Sequence, residues 1–223
     1  VLIDGVQDGD SIQAAIDAAL PGGEVVVGDG TYEESLTIDK PLTLRTVSEG
    51  GAVLDGSQEK FERAMTVTDD DVTVEGFQIE GYSASGNYDG AVYIEGNEFT
   101  FVNNTVTGSV DAIQIRADDV LIDDNHIYDN DGSGINLGDF NDRFRINENE
   151  ISGNDVGITY AQQRSDDGTI TNNTITDNVG VGIEIETFSS NNEIINNTVT
   201  GNENGIRAGQ TEVRQNHVTA PDG

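Results

Sequence analysis

TNNTITDNVGVGIEIETFSSNNEIINNTVTGN, residues 171–202, states one motif twice: TNNTITDN (171–178) returns after 24 residues as INNTVTGN (195–202). The motif also occurs upstream as VNNTVTG (102–108), DDNHIYDN (123–130) and NENEISGN (147–154), and downstream as RQNHVT (214–219). Superposition aligns Asn104, Asn125, Asn149, Asn173, Asn197 and Asn216, at intervals of 21, 24, 24, 24 and 19 residues. A second series, Asn130, Asn154, Asn178 and Asn202, keeps the same 24-residue step. Apolar residues travel with the first Asn: Ile122, Ile146, Ile170 and Ile194 three places before it, Ile127, Ile151, Ile175 and Val199 two places after. A further alternating segment opens each unit, as in AVYIE (91–95), AIQIR (112–116), GINLG (134–138) and GIEIE (182–186).

Each unit therefore contains three short strands joined by turns of Gly, Asn and Asp. Such a unit cannot bury an apolar face alone. Stacked at about 4.8 Å per turn, each strand pairs with its copy in the next unit around a narrow Ile/Val column. The pattern predicts an all-β fold: a right-handed single-stranded parallel β-helix with three parallel sheets and about eight coils. The recurring Asn is expected in tight turns, its side chain bonding nearby backbone and its own φ tolerating positive values. Leucine-rich repeats need Leu at fixed offsets, which this chain lacks.

One domain is expected over residues 1–223, with coils over 24–219 and a tail at 220–223. Residues 8–22 read as a helix that caps the solenoid, with Asp10 or Ser11 as N-cap and an apolar stripe of Ile12, Ala15, Ile16, Ala19 and Leu20. No cap follows Thr219, so the carboxyl-terminal end is expected to be covered by further chain or another subunit. A start at Val1 is expected for a mature secreted protein or a piece of a longer one.

Composition narrows the partners. The chain carries 42 acidic and 10 basic residues, a formal charge of −32. Nucleic-acid backbones and anionic membrane surfaces would be repelled, and no segment has the roughly 18 continuous apolar residues of a membrane span. Only Lys40 and Lys60 are lysines. Abundant carboxylates with so little Lys predict adaptation to molar salt, where the Debye length falls to about 3 Å. Cysteine is absent, which excludes disulfides, thiolate metal sites and a Cys nucleophile.

GDSIQAAIDAALPGGEVVVGDGTYEESLTIDKPLTL (9–44) resembles the amino-terminal cap and first coil of the pectin-lyase-like superfamily of parallel β-helix proteins. The GI-x-I and I-x-N-N-x-I units resemble its carbohydrate-binding and sugar-hydrolase type repeats. The resemblance covers nearly the whole chain. It implies an extracellular or cell-surface domain that binds a polysaccharide or surface glycan, or serves as an envelope scaffold. The alternative it implies is a polysaccharide-active enzyme (hydrolase, lyase or epimerase) using the groove along the first strands. The Gly-His-Gly and Arg-Ile-Lys motifs of polygalacturonases and the Asp-Pro-His-Asp motif of epimerases are missing, so a binder is favoured over a lyase or glycoside hydrolase.

If the Ile residues of the first strands point inward, their neighbours line that groove. The carbohydrate-binding candidates are Tyr93, Glu95, Gln114, Arg116, Asn136, Thr159, Glu184 and Arg207. The catalytic candidates are Glu95, Arg116, Glu184 and Glu186; residues two apart on a strand lie about 7 Å from each other, within the range glycoside hydrolysis requires. A cofactor is either absent or Ca²⁺, held in a turn by Asp118, Asp119, Asp139 and Asp142. The Asn-x-Thr sequons at Asn103, Asn172 and Asn196 are possible glycosylation acceptors. His126 and His217 occupy equivalent third-strand positions four coils apart and are expected at the surface.

Overall fold

The computed structural model describes residues 2–6, 10–57, 62–84, 89–138, 141–160, 165–185 and 189–219. Three sheets with all strand pairs parallel wind around one axis. Among the described residues the first sheet has eight strands, from Leu36–Ile38 to Asn204–Ala208. The second has ten, from Leu2–Val6 to Thr211–Arg214, and the third nine, from Gly30–Tyr32 to His217–Val218. Register is held from coil to coil: Phe101, Ile122, Ile146, Ile170, Ile194 and Val213 pair in turn along the second sheet. Ile113, Ile135, Ile158, Ile183 and Ile206 do so along the first. Inward residues alternate with outward ones, so each three-residue strand contributes one or two aliphatic side chains to the axis. The interior is an Ile/Val column, as the repeat demands, but it also encloses Phe77, Tyr82, Phe99, Phe101 and Phe144.

The recurring asparagines form a ladder along the axis. The backbone N–H groups of Asn104, Asn125, Asn149, Asn173 and Asn197 each donate to the Oδ1 of the Asn one coil on, at 2.8–3.0 Å. Each Nδ2 is shared among the next carboxamide, the backbone carbonyl two residues earlier and a carbonyl of the preceding coil, as Asn149 Nδ2 is among Asn173 Oδ1, Asn147 O and Ile122 O. These side chains are buried, and the ladder satisfies turn groups that no strand could. Asn130, Asn154, Asn178 and Asn202 build a second ladder at the next corner. The period did not reveal a third, in which Ala117, Asn141 and Ser165 N–H groups donate to Asn141, Ser165 and Ser189.

The expectation of positive φ at the ladder Asn is corrected. The left-handed residue is the one before it: Asn103, Asp124, Glu148, Asn172, Asn196 and Gln215, at φ 52–59°. That residue turns the chain, and the following Asn faces inward to bridge coils.

A column of glycines makes room for the second ladder. A Cβ on Gly157 would stand 2.5 Å from Gly182 O, 2.7 Å from Ile175 Cγ2 and 3.2 Å from Asn178 Nδ2. Gly157→Ala is expected to cost about 1–3 kcal/mol through overpacking, read from the midpoint of chemical unfolding.

The two ends differ. The helix is shorter than the sequence suggested, Ile12–Ala18, with Ser11 as N-cap. Glu34 accepts from Ser11 Oγ and the N–H groups of Ile12 and Gln13 at 2.9–3.2 Å. Ile12, Ile16 and Ala19 are buried, whereas Leu20, expected on the buried stripe, is 58 % exposed because the helix has ended before it. The strand Leu2–Val6 was not anticipated; it pairs with Gly23–Val27 and extends the second sheet. At the other end Val213 and Val218 are exposed. The 220–223 tail lies outside the described residues.

Candidate functional site

The first sheet presents one straight outward row. Thr37, Thr66, Tyr93, Gln114, Asn136 and Thr159 are register partners in sequence, and Glu184 and Arg207 continue it. The alternation therefore identified the row correctly, but not its exposure. Tyr93 is 7 % exposed, Gln114 fully buried and Asn136 9 % exposed; Glu95, Arg116 and Arg207 are exposed, and Thr159 and Glu184 half-buried.

Tyr93 is not an open stacking platform. The Arg63 guanidinium carbon lies 4.1 Å from its ring centroid, and Arg63 Nε is itself ion-paired to Asp89 at 2.5 Å. The Tyr93 hydroxyl donates to Glu95 Oε1 at 3.0 Å and accepts from Arg116 Nη1 at 3.4 Å, so Glu95 and Arg116 meet on a phenol. Glu184, the other described catalytic candidate, is four strands away, about 19 Å at the coil rise, where Arg207 Nη1 lies 3.3 Å from it. The catalytic candidates thus do not converge on one point. Glu186 lies outside the described residues.

Beside this polar group the row contains two orphaned acceptors. Gln114 Nε2 donates to Ile115 O and Asn136 O, both at 3.3 Å. Among the described residues its Oε1 has no partner, and neither has Asn136 Oδ1 on the adjacent strand. Buried carbonyl oxygens without donors are uncommon and costly. Sequence alone offered no sign of them, since an outward amide on a strand reads as solvated.

The proposed Ca²⁺ residues lie at the corner leading from the first sheet to the second; Asp139 is outside the described residues. Asp118 Oδ1 accepts the Asp142 N–H at 2.8 Å, and Asp142 Oδ1 accepts the Asp166 N–H at 2.9 Å. Asp119 takes two bonds from Arg143, at 2.7 Å each. That hydrogen bond holds the Asp119 carboxyl below the usual range, and the same contact raises the Arg143 guanidinium. These carboxylates cap backbone and pair with Arg143 rather than converge. One coil away Glu98 is pushed up by the charge of Asp71.

The sequon asparagines stand at the left-handed corner, Asn103 half-buried, Asn172 and Asn196 exposed. Asn196 Nδ2 donates to Asn172 Oδ1 at 2.7 Å, and Asn172 Nδ2 to Asn147 Oδ1 at 2.8 Å. A glycan on either nitrogen would displace this outer chain of amides. Beside it runs a concavity of about 550 Å³ whose lining includes Asn103, Asp124, His126, Glu148, Glu150 and Asn172. His126 and His217 are exposed on the third sheet, four strands apart.

Residues 64–219 match the sequence profile of a family described as a right handed beta helix region. No curated protein matches the sequence. Among solved structures, the chain is similar to an alginate lyase from Paenibacillus sp. str. FPU-7, with a TM-score of 0.63 and 17 % identity over 98 % of this chain and 99 % of that one. It is similar to pectate lyase Pel9A, with a TM-score of 0.61 and 15 % identity over 96 % and 73 %. It is also similar to XylC, solved in complex with xylose, with a TM-score of 0.65 and 11 % identity over 92 % and 66 %. Identities this low establish a shared fold and nothing further.

Proposed function

Because this chain belongs to the right-handed β-helix family, a pectin-lyase-like fold, we propose that it is a carbohydrate-binding domain whose site runs along the first sheet. The observation that carries this reading is the straight outward row with two buried, unpartnered amide oxygens, Gln114 Oε1 and Asn136 Oδ1. Hydroxyl-rich ligands supply the donors such oxygens lack. Solved structures of the same fold, an alginate lyase, a pectate lyase and XylC in complex with xylose, fit a glycan partner. No helix among the described residues is long and apolar enough to cross a membrane.

The domain works outside the cell or at its surface, in high salt, where a charge of −32 is tolerable. Binding rather than turnover is its role, since Glu95 and Glu184 sit about 19 Å apart and engage Tyr93 and Arg207. Retention on immobilised glycans in molar salt, with no new reducing ends and no unsaturated-uronate absorbance, is the expected result. Product release would replace this reading with a hydrolase or lyase; no retention on any glycan would remove it.

A further inference from the structure

The class of sugar follows from the same row, and this step rests on the carbohydrate-binding reading above. We infer that the middle of the first sheet selects neutral, hydroxyl-bearing sugar units over polyuronates, with Gln114 and Asn136 as the selecting residues.

The two unpartnered oxygens are uncharged acceptors on adjacent strands. Their strands stand about 4.8 Å apart along the axis, a spacing that two hydroxyls of one sugar ring can span. A hydroxyl donates to such an oxygen; a uronate ring keeps hydroxyls too, but its carboxylate, ionised at neutral pH, has no proton to give and must be accommodated beside them. Its charge would instead face two carbonyl dipoles, with Glu95 and Glu184 further along the same face. Recognition of a carboxylate needs an available guanidinium, ammonium or metal ion. The described arginines of this face are engaged with protein: Arg63 with Asp89 and the Tyr93 ring, Arg116 with the Tyr93 hydroxyl, and Arg207 with Glu184. The direction of approach is also set. Asn136 retains 9 % exposure and adjoins half-buried Thr159, whereas Gln114 is closed off behind it. Both oxygens are covered, so a ligand entering from Thr159 must displace that cover, reaching the Asn136 oxygen first and the Gln114 oxygen second.

The test is titration calorimetry of the full chain in 2 M salt, with neutral xylo-, manno- and cello-oligosaccharides against oligoalginate and oligogalacturonate of equal length. Molar salt removes bulk repulsion, so a remaining preference comes from the hydrogen-bonding groups themselves. Neutral sugars are expected to bind at least about tenfold more tightly. Gln114→Met and Asn136→Leu each delete an orphaned oxygen at similar volume. Each is expected to weaken neutral-sugar binding by about tenfold while the melting temperature stays level or rises. Tighter or equal binding of uronates overturns the selectivity and leaves the carbohydrate reading standing. Full affinity in both variants overturns the assignment to these residues. Binding of neither class overturns both readings. Should a variant fail to fold, the ranking of ligands by the unaltered chain still decides.

Discussion

Asn149→Ala is expected to lower the unfolding free energy by about 3–5 kcal/mol, the largest loss from any single side chain proposed here. Asn149 is central in its ladder. Its Oδ1 accepts from Asn125 N at 3.0 Å and Asn125 Nδ2 at 2.9 Å. Its Nδ2 serves Asn173 Oδ1, Asn147 O and Ile122 O at 2.9–3.0 Å. Alanine leaves the buried Asn125 amide without its acceptor and removes a shared donor from three oxygens. Each buried group so abandoned costs about 1–3 kcal/mol. The control is Asn172→Gly, one residue from the next ladder Asn. Asn172 is exposed and left-handed, with φ 59°. Glycine keeps that turn while deleting a carboxamide of the outer chain, at an expected cost under about 1 kcal/mol. Guanidinium unfolding of both variants in molar salt measures the difference. Equal losses would mean that the buried carboxamides are no more important than the exposed ones.

The second large effect is on salt. Between 2 M and 0.1 M NaCl the melting temperature is expected to fall by about 10 °C or more. Coil stacking places like charges in file: Asp71, Glu98 and Asp119 are successive left-handed corner residues. Asp70, Asn97, Asp118, Asp142 and Asp166 run beside them, each accepting a backbone N–H of the next coil. Repulsion within such files is long-ranged in dilute buffer and screened in molar salt. The sign with pH follows from the groups that are shifted. Asp71 raises the pKa of the Glu98 carboxyl, and burial raises that of Asp111. The folded state therefore binds protons that the unfolded chain releases. Stability from these groups is fully present below the ordinary carboxylate value and is lost as pH rises through the higher folded value. Asp119 has the opposite sign, because Arg143 lowers it, and its contribution is lost only under more acidic conditions. In low salt, melting temperature should rise as pH falls from 7 toward 5, and Glu98→Gln should reduce that rise. A melting temperature independent of salt would sink the high-salt reading.

The fold was legible because its information is periodic. A 24-residue recurrence of Asn with flanking Ile names the coil, the strands and the axial ladder together. What escaped was non-periodic, cooperative or changed in residue type. The third ladder keeps the 24-residue step at Asn141, Ser165 and Ser189 but changes from a carboxamide to hydroxyls after its first rung. The strand Leu2–Val6 belongs to no repeat. The left-handed position was displaced by one residue because Asn favours both turning and bridging, and only coordinates separate the two roles. Along the first sheet, alternation picked out the row from Tyr93 to Arg207. It could not show that Arg63, which lies between strands, covers Tyr93, or that Gln114 is buried.

The axial ladder has a direction. Every carboxamide lends its oxygen to the coil before it, so each coil relies on its successor and none on its predecessor for that acceptor. Among the described residues the series stops at Asn216, which serves Asn197, while the opposite extremity is shut by the helix Ile12–Ala18. Loosening should accordingly travel one way: a coil that lets go strips an acceptor from the coil before it and none from the coil after, like a zipper with a single slider. In Asn149→Ala, amide exchange should quicken on the Asn125 side more than on the Asn173 side.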